Sequence, residues 1–297
     1  MSAPVEVLSI NNRDDEIHSH FGINVEGQSI AYCYIRKNAC SAFKRLFIEE
    51  SPFPYDPSVW PREIEFMAQN HGLRTIAEIE RHDRRVLVLR DPVERYVSAF
   101  VSLLVARTPT PTRHLHKLCQ KLMERPVEDV SFDMMLEHHL PGRRPRPRRL
   151  ERHFWPQVWH PAPVTYTDVI DIARLAPAMK AMIGETLGAR YFDRPVNATA
   201  TVPAYDDPEV SGLPACVLME RFAETGALPS KASFLGGGRE AAIRAAYAED
   251  VALYEACRLH DREAPGTNMR LQVKPALKAP RTKGALARER GNGDATD

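Results

Sequence analysis

Val86-Leu-Val-Leu-Arg90-Asp91-Pro92-Val-Glu94-Arg95-Tyr-Val-Ser98-Ala-Phe100 joins two periodicities in fifteen residues. Arg85 to Leu89 is a short apolar run, the pattern of a strand covered on both faces in a parallel sheet. Arg90-Asp91-Pro92 ends it, and Pro92 suits the first turn of a helix. Val93, Tyr96, Val97, Phe100, Val101 and Leu104 then recur at helical spacing. The same grammar appears upstream. Ser29 to Ile35 reads as a strand, Arg36 to Ser41 as a turn, and a helix from Ser41 carries Phe43, Leu46 and Phe47. Downstream, Val164 to Tyr166 gives a third strand. Asp168 to Ala173 and Pro177 to Leu187 read as helical, and Arg239 to Leu259 as one helix with Ile243, Tyr247, Val251 and Tyr254 on a face. Strands alternating with helices predict an α/β fold, a parallel sheet flanked by helices.

The chain has 297 residues, 43% hydrophobic and 27% charged, which excludes a disordered or fibrous protein. Its net charge of +1 gives no argument for nucleic acid as a partner. No run of 18 apolar residues and no secretory signal are visible, so neither a membrane span nor export is expected. The five cysteines, at 33, 40, 119, 216 and 257, form no C-x-x-C pair, and so point to neither a disulfide framework nor a metal site. A reducing, cytoplasmic location fits them.

Charge is unevenly spread. Residues 266–297 hold seven Lys/Arg against three Asp/Glu, leaving 33 against 36 in residues 1–265. With few large apolar side chains, 266–297 reads as a flexible basic tail behind a domain spanning 1–265. A second basic stretch, Arg143 to Arg149, holds five arginines interrupted by prolines and reads as an exposed loop.

In open α/β sheets ligands sit beyond the carboxyl ends of the strands, and two such corners here are cationic. In the first, Arg36-Lys37-Asn38-Ala39-Cys40-Ser41, backbone N–H groups and the helix dipole favour a phosphate, with Lys37 as a point charge. The Gly-rich G-x-x-x-x-G-K-[ST] loop is absent from the chain. In the second, Arg90 offers a fork that can grip a phosphate in bidentate fashion, with Ser98 two helical turns on. The alternative roles are a solvated turn for the first corner and ion pairing of Arg90 with Asp91 or Glu94 for the second.

Together these segments resemble sulfotransferases that use 3′-phosphoadenosine 5′-phosphosulfate (PAPS), above all the carbohydrate sulfotransferases and their bacterial relatives. Arg36 to Lys44 is similar to the family's 5′-phosphosulfate loop, although Arg36 stands where many relatives have proline. Arg90 to Phe100 matches its 3′-phosphate motif almost letter for letter. Weaker similarity runs through His153-Phe-Trp-Pro-Gln157, Val196 to Thr199, and the late helix with Tyr247 and Asp250. The resemblance implies a P-loop-NTPase-like sulfotransferase fold and PAPS as co-substrate, with no metal. It implies that Lys37 and the N–H groups of Asn38, Ala39, Cys40 and Ser41 hold the 5′-phosphosulfate, beside Arg36. It gives the 3′-phosphate to Arg90 and Ser98, and charge stabilisation on the leaving phosphate to Lys37.

An acceptor hydroxyl needs a base. His71 is the favoured candidate because it precedes Gly72 and lies about 20 residues before Arg90, as a histidine does in some relatives; His82 and His153 are the others. The acceptor would be a hydroxyl, or else an amine, of a glycan, lipid or small metabolite, and the arginine stretch would suit an anionic one. A nucleotide kinase on a related fold and a catalytically silent nucleotide-binding module are the competing functions.

Overall fold

The computed structural model describes residues 8–11, 17–107, 113–141, 150–194 and 202–275. The arginines at 143–149, the segment Val196 to Thr199 and positions 276–297 lie outside the described residues. In chain order come β1 (Leu8–Asn11), β2 (His20–Val25), β3 (Gln28–Cys33), α1 (Cys40–Glu49), α2 (Glu63–Asn70), β4 (Gly72–Leu73), α3 (Ile76–Glu80), β5 (Arg84–Leu89) and α4 (Pro92–Phe100). There follow α5 (Arg113–Leu122), α6 (Phe132–His138), β6 (Thr165–Asp171), α7 (Leu175–Ile183), α8 (Glu185–Phe192), β7 (Ala204–Tyr205), α9 (Ala215–Thr225), β8 (Leu228–Pro229), α10 (Arg239–Ala246), α11 (Ala248–Glu263) and β9 (Met269–Lys274).

Seven strands form one sheet in the order β1-β9-β6-β5-β3-β2-β4. Its centre, β3-β5-β6, is parallel. β2 runs antiparallel to β3, to which a two-residue turn joins it; Glu26 and Gly27 both have positive φ, the backbone that matches strand twist in a tight hairpin. β5 is covered on both faces, which is why its sequence is continuously apolar rather than alternating. Ile30, Tyr32, Val86 and Val88 pack on the side of α1, α7 and α8. Ala31, Cys33, Leu87 and Leu89 pack on the side of α11. A third core gathers α4, α6, α9 and α10 around Tyr96, Phe100, Phe132 and Phe234. The fold class is therefore the expected one, a mixed α/β protein with a mostly parallel central sheet flanked by helices.

The structure departs from the sequence expectations in four places. Residues 168–171, read as helical, are the second half of β6, with Val169 and Ile170 both buried. The helix expected over Pro177 to Leu187 is two, split by Gly184 at φ 83°, a left-handed backbone that glycine adopts freely. The single helix read over Arg239 to Leu259 breaks at Tyr247, whose hydroxyl donates to Phe154 O at 2.6 Å and ties the chain away from a continuous helical path. Finally, β9 lies beyond the boundary expected at residue 265. It sits between β1 and β6, with Met269, Leu271 and Val273 in the core and Arg270, Gln272 and Lys274 on the other face. Its basic residues hid a strict apolar–polar alternation.

Because Leu271 is fully buried, Leu271→Ala should cost about 2–5 kcal/mol of unfolding free energy, measured by urea denaturation. A neutral substitution would place β9 outside the cooperative unit.

Candidate active site

β3 and β5 are neighbouring parallel strands, so the chain turns that follow them lie side by side at one end of the sheet. The first turn, Arg36 to Ala39, has an alternating-hand backbone. Lys37 has φ 72° and Ala39 φ 57°, with Asn38 between them outside the positive range. Neither is glycine, and such residues cost on the order of 1–3 kcal/mol each unless their surroundings hold them. Alternation of hand is the backbone pattern of an anion-binding nest, although the Asn38 N–H is already donated to Ile35 O at 3.2 Å. The loop carbonyls point inward: Arg95 Nε donates to Arg36 O at 3.1 Å and Arg90 Nη1 to Lys37 O at 3.2 Å. α1 starts at this point with no side-chain cap and no acidic residue in its first turn. Its dipole and first-turn N–H groups add to the attraction for a negative group.

The second turn, Arg90-Asp91, is held differently. Asp91 caps α4, accepting from the N–H groups of Val93 and Glu94 at 2.9 and 3.0 Å. Arg90 lies 3.6 Å from Glu94, but Glu94 is more closely paired with Lys231, at 2.8 Å. The guanidinium is thus turned toward the first corner rather than consumed by a tight surface pair. Ser98 is half-buried and shares the Glu94 face of α4.

Gln157, from the segment after α6, locks the two turns together. Its Oε1 accepts from Asn38 Nδ2 at 2.6 Å and from the Arg90 backbone N–H at 3.0 Å. Its Nε2 donates to Arg90 O at 2.9 Å. Asn38, wholly buried, also donates to Val88 O at 2.7 Å. Behind Gln157 lies Asp250 at the start of α11, whose two carboxylate oxygens accept the N–H groups of Gln157 (2.7 Å) and Val158 (3.0 Å). Burial pushes Asp250 up to about 6, against the pull of the Arg95 charge. Arg95 itself is 1% exposed and joins Arg36 O to Trp155 O, the latter at 2.7 Å. Gln157, Asp250 and Arg95 stood in the resembling segments, but their sequence neighbours gave no sign of these roles.

The Lys37 ammonium is strongly altered by its place. Burial, then the charges of Arg90 and Arg95, bring it down to about 8 against an opposing contribution from Cys40. Cys40 and Ser41 are half-buried on the first turn of α1. The structure thus brings together Arg36, Lys37, Asn38, Ala39, Cys40, Ser41 and Arg90, with Ser98 farther along α4.

The histidine favoured in the sequence is not brought to this corner. His71 Nδ1 lies 3.0 Å from Gly22 O, and Nε2 2.9 Å from Ser51 Oγ. Ser51 lies just past the far end of the ten-residue α1, beyond about 15 Å of helix from the nest. Phe47, Phe53 and Phe66 surround the ring, and burial lowers its pKa. Gly72 follows because a Cβ there would stand 2.6 Å from Ala68 O; the close approach is to α2, not to a substrate. A base at His71 cannot reach an oxygen attacking near Lys37. His82 bonds Ser29 Oγ at 2.8 Å, before β5 begins, at the opposite end of the sheet from Arg90. His153, on a short 3₁₀ turn (Arg152–Phe154), lies near Arg36 and Lys37, whose charges act on its ring. Arg239, in the Gly236-Gly-Gly-Arg239 stretch, is held by Asp133 at 2.5 and 3.0 Å.

No group of three or more His, Cys, Asp or Glu side chains that could hold a metal occurs among the described residues. No helix among them is long and apolar enough to cross a membrane. No curated protein and no solved structure matches the chain. A family model described as the sulfotransferase family matches residues 20–180, which contain both cationic turns and Gln157. A match over more than half of its length, centred on this double corner, makes the chain a member of the sulfotransferase family.

Proposed function

We propose that the protein moves a sulfuryl group from PAPS to a hydroxyl of a glycan, lipid or small-metabolite acceptor. One observation carries this reading: an anion-receptive nest and an arginine fork occupy adjacent strand ends and touch, Arg90 Nη1 to Lys37 O at 3.2 Å. A ligand with phosphate-type groups at two ends, as the donor has, suits two such neighbouring cationic turns. The strained, uncapped loop fits the 5′-phosphosulfate, and Arg90 with Ser98 fits the 3′-phosphate. The donor supplies the sulfuryl group and leaves as adenosine 3′,5′-bisphosphate. The protein's part is to align donor and acceptor and to oppose charge on the departing phosphate. Lys37 is our candidate for that second task.

Binding of the bisphosphate at a hundred times its Kd should stabilise the chain by about 2.7 kcal/mol, a melting-temperature rise of several degrees in a thermal shift assay. AMP and ATP should give much less, and Lys37→Ala or Arg90→Ala should remove most of the rise. Stabilisation by ATP with magnesium but not by the bisphosphate would favour a kinase instead. A labelled-sulfate transfer screen against extracts then identifies the acceptor.

The lowered Lys37 pKa gives a second expectation. A bound anion favours the protonated ammonium, so the bound pKa exceeds the free value of about 8. Between the two values the free enzyme must take up a proton to bind. Kd for the bisphosphate should therefore rise by up to about tenfold per pH unit above pH 8. Lys37→Arg, charged throughout, should flatten that rise. A wild-type Kd constant from pH 7 to 10 would remove Lys37 from the anion's environment.

A further inference from the structure

We propose that Glu151 and His153 form a carboxylate–imidazole pair in which His153 Nε2 takes the proton from the acceptor hydroxyl and Glu151 positions the ring. This rests on the donor reading above and adds the group that reading leaves unnamed.

The geometry favours His153 over every other histidine discussed. Its Nδ1 faces both Glu151 oxygens, at 3.0 and 2.9 Å, and its backbone N–H donates to Oε2 at 2.6 Å. An ionised carboxylate there keeps the ring proton on Nδ1, which leaves the Nε2 lone pair as the acceptor. Nε2 makes no hydrogen bond to the described residues. His71, in contrast, has both nitrogens occupied. His160 is buried more deeply and its Nε2 has no hydrogen-bond partner, but the charges acting on its ring are Arg95, His18, Arg36 and His20, with no carboxylate among them to orient it.

The turn carrying the pair is fixed from several sides. Glu151 N–H donates to His139 Nε2 at 3.1 Å, Tyr247 holds Phe154 O, and Arg95 holds Trp155 O. The same Arg95 holds Arg36 O, so one guanidinium spans from the imidazole's turn to the anion nest. Among the described residues, the groups that act on the pair are Arg36 and Lys37 from the first turn and His139 from beyond α6. Burial lowers the His153 pKa, Glu151 opposes this, and Arg36 and Lys37 lower it further. The ring is thus neutral, in the base form, at pH 7. Glu151 is held below its ordinary value: burial opposes, and the His153 ring and N–H together with Arg36 outweigh it.

In the transfer, Nε2 removes the acceptor O–H proton as that oxygen bonds to sulfur. The bond from sulfur to the 5′-phosphate oxygen breaks, and its electron pair stays on the phosphate beside Lys37. Glu151 then faces an imidazolium, whose charge it balances.

The pair can be tested before the acceptor is known. Imidazole ¹⁵N resonances of the full chain, assigned with His153→Gln, are titrated with and without adenosine 3′,5′-bisphosphate. We expect the Nδ1–H tautomer in the free protein and a His153 pKa raised by about one unit on addition of the bisphosphate, with His71 unmoved. Glu151→Gln should mix the tautomers and lower the His153 pKa while the bisphosphate's thermal shift persists. With an acceptor from the sulfate screen, His153→Gln should lower kcat at least about a hundredfold and leave that thermal shift intact. A thermal shift by the bisphosphate with no change in the His153 titration overturns the pair and leaves the donor reading standing. A wild-type protein that the bisphosphate does not stabilise removes the donor reading and this one with it.

Discussion

The carboxamide of Gln157 accepts from Asn38 and from the Arg90 backbone, and donates back to the Arg90 carbonyl. Those three hydrogen bonds tie two separate chain reversals into one surface, and much of the site's shape follows from them. A buried amide with several partners is a demanding device, because each unmet partner would leave a desolvated polar atom. Here Asp250 secures the Gln157 backbone from behind, and Arg95 braces Arg36 against Trp155. The result is a network whose members come from β3's turn, β5's turn, the segment after α6, and α11. Its parts are far apart in sequence and can settle only together, which makes the corner a product of the whole fold rather than of a local motif.

That network also explains how the first turn keeps its shape without glycine. Gly-rich phosphate loops adopt left-handed residues at little cost. Here Lys37 and Ala39 adopt them at a cost, and the inward carbonyl bonds from Arg90 and Arg95 hold the backbone in place. Arg90 and Arg95 do double duty. Their side chains bond the loop carbonyls, and their charges add to burial in lowering the Lys37 pKa.

Sequence patterning exposed the parts whose causes are local. β5 and α4 were legible because an apolar run and a 3.6-residue repeat meet at Arg90-Asp91-Pro92, and Asp91 does cap the helix. Lys37 and Arg90 were legible as cations at strand ends. Features with distant causes were not. Nothing near Gln157 announces that it reaches Asn38, 119 residues away. Tyr247 fits a helical face, and only its bond to Phe154 explains the break there. β9 alternates apolar and polar residues, yet it was read by its charge as part of a tail. His71 was favoured for a following glycine, but that glycine answers to the Ala68 carbonyl. The Glu151–His153 pair was visible as two letters, and its orientation only as coordinates.

The place of β9 has a consequence for how the chain is made. β6 and β1 meet only through a strand at 269–274. During vectorial synthesis β6 (Thr165–Asp171) emerges well before β9 (Met269–Lys274), and one of its borders stays unpaired in between. An open border of this kind invites mispairing with other nascent chains.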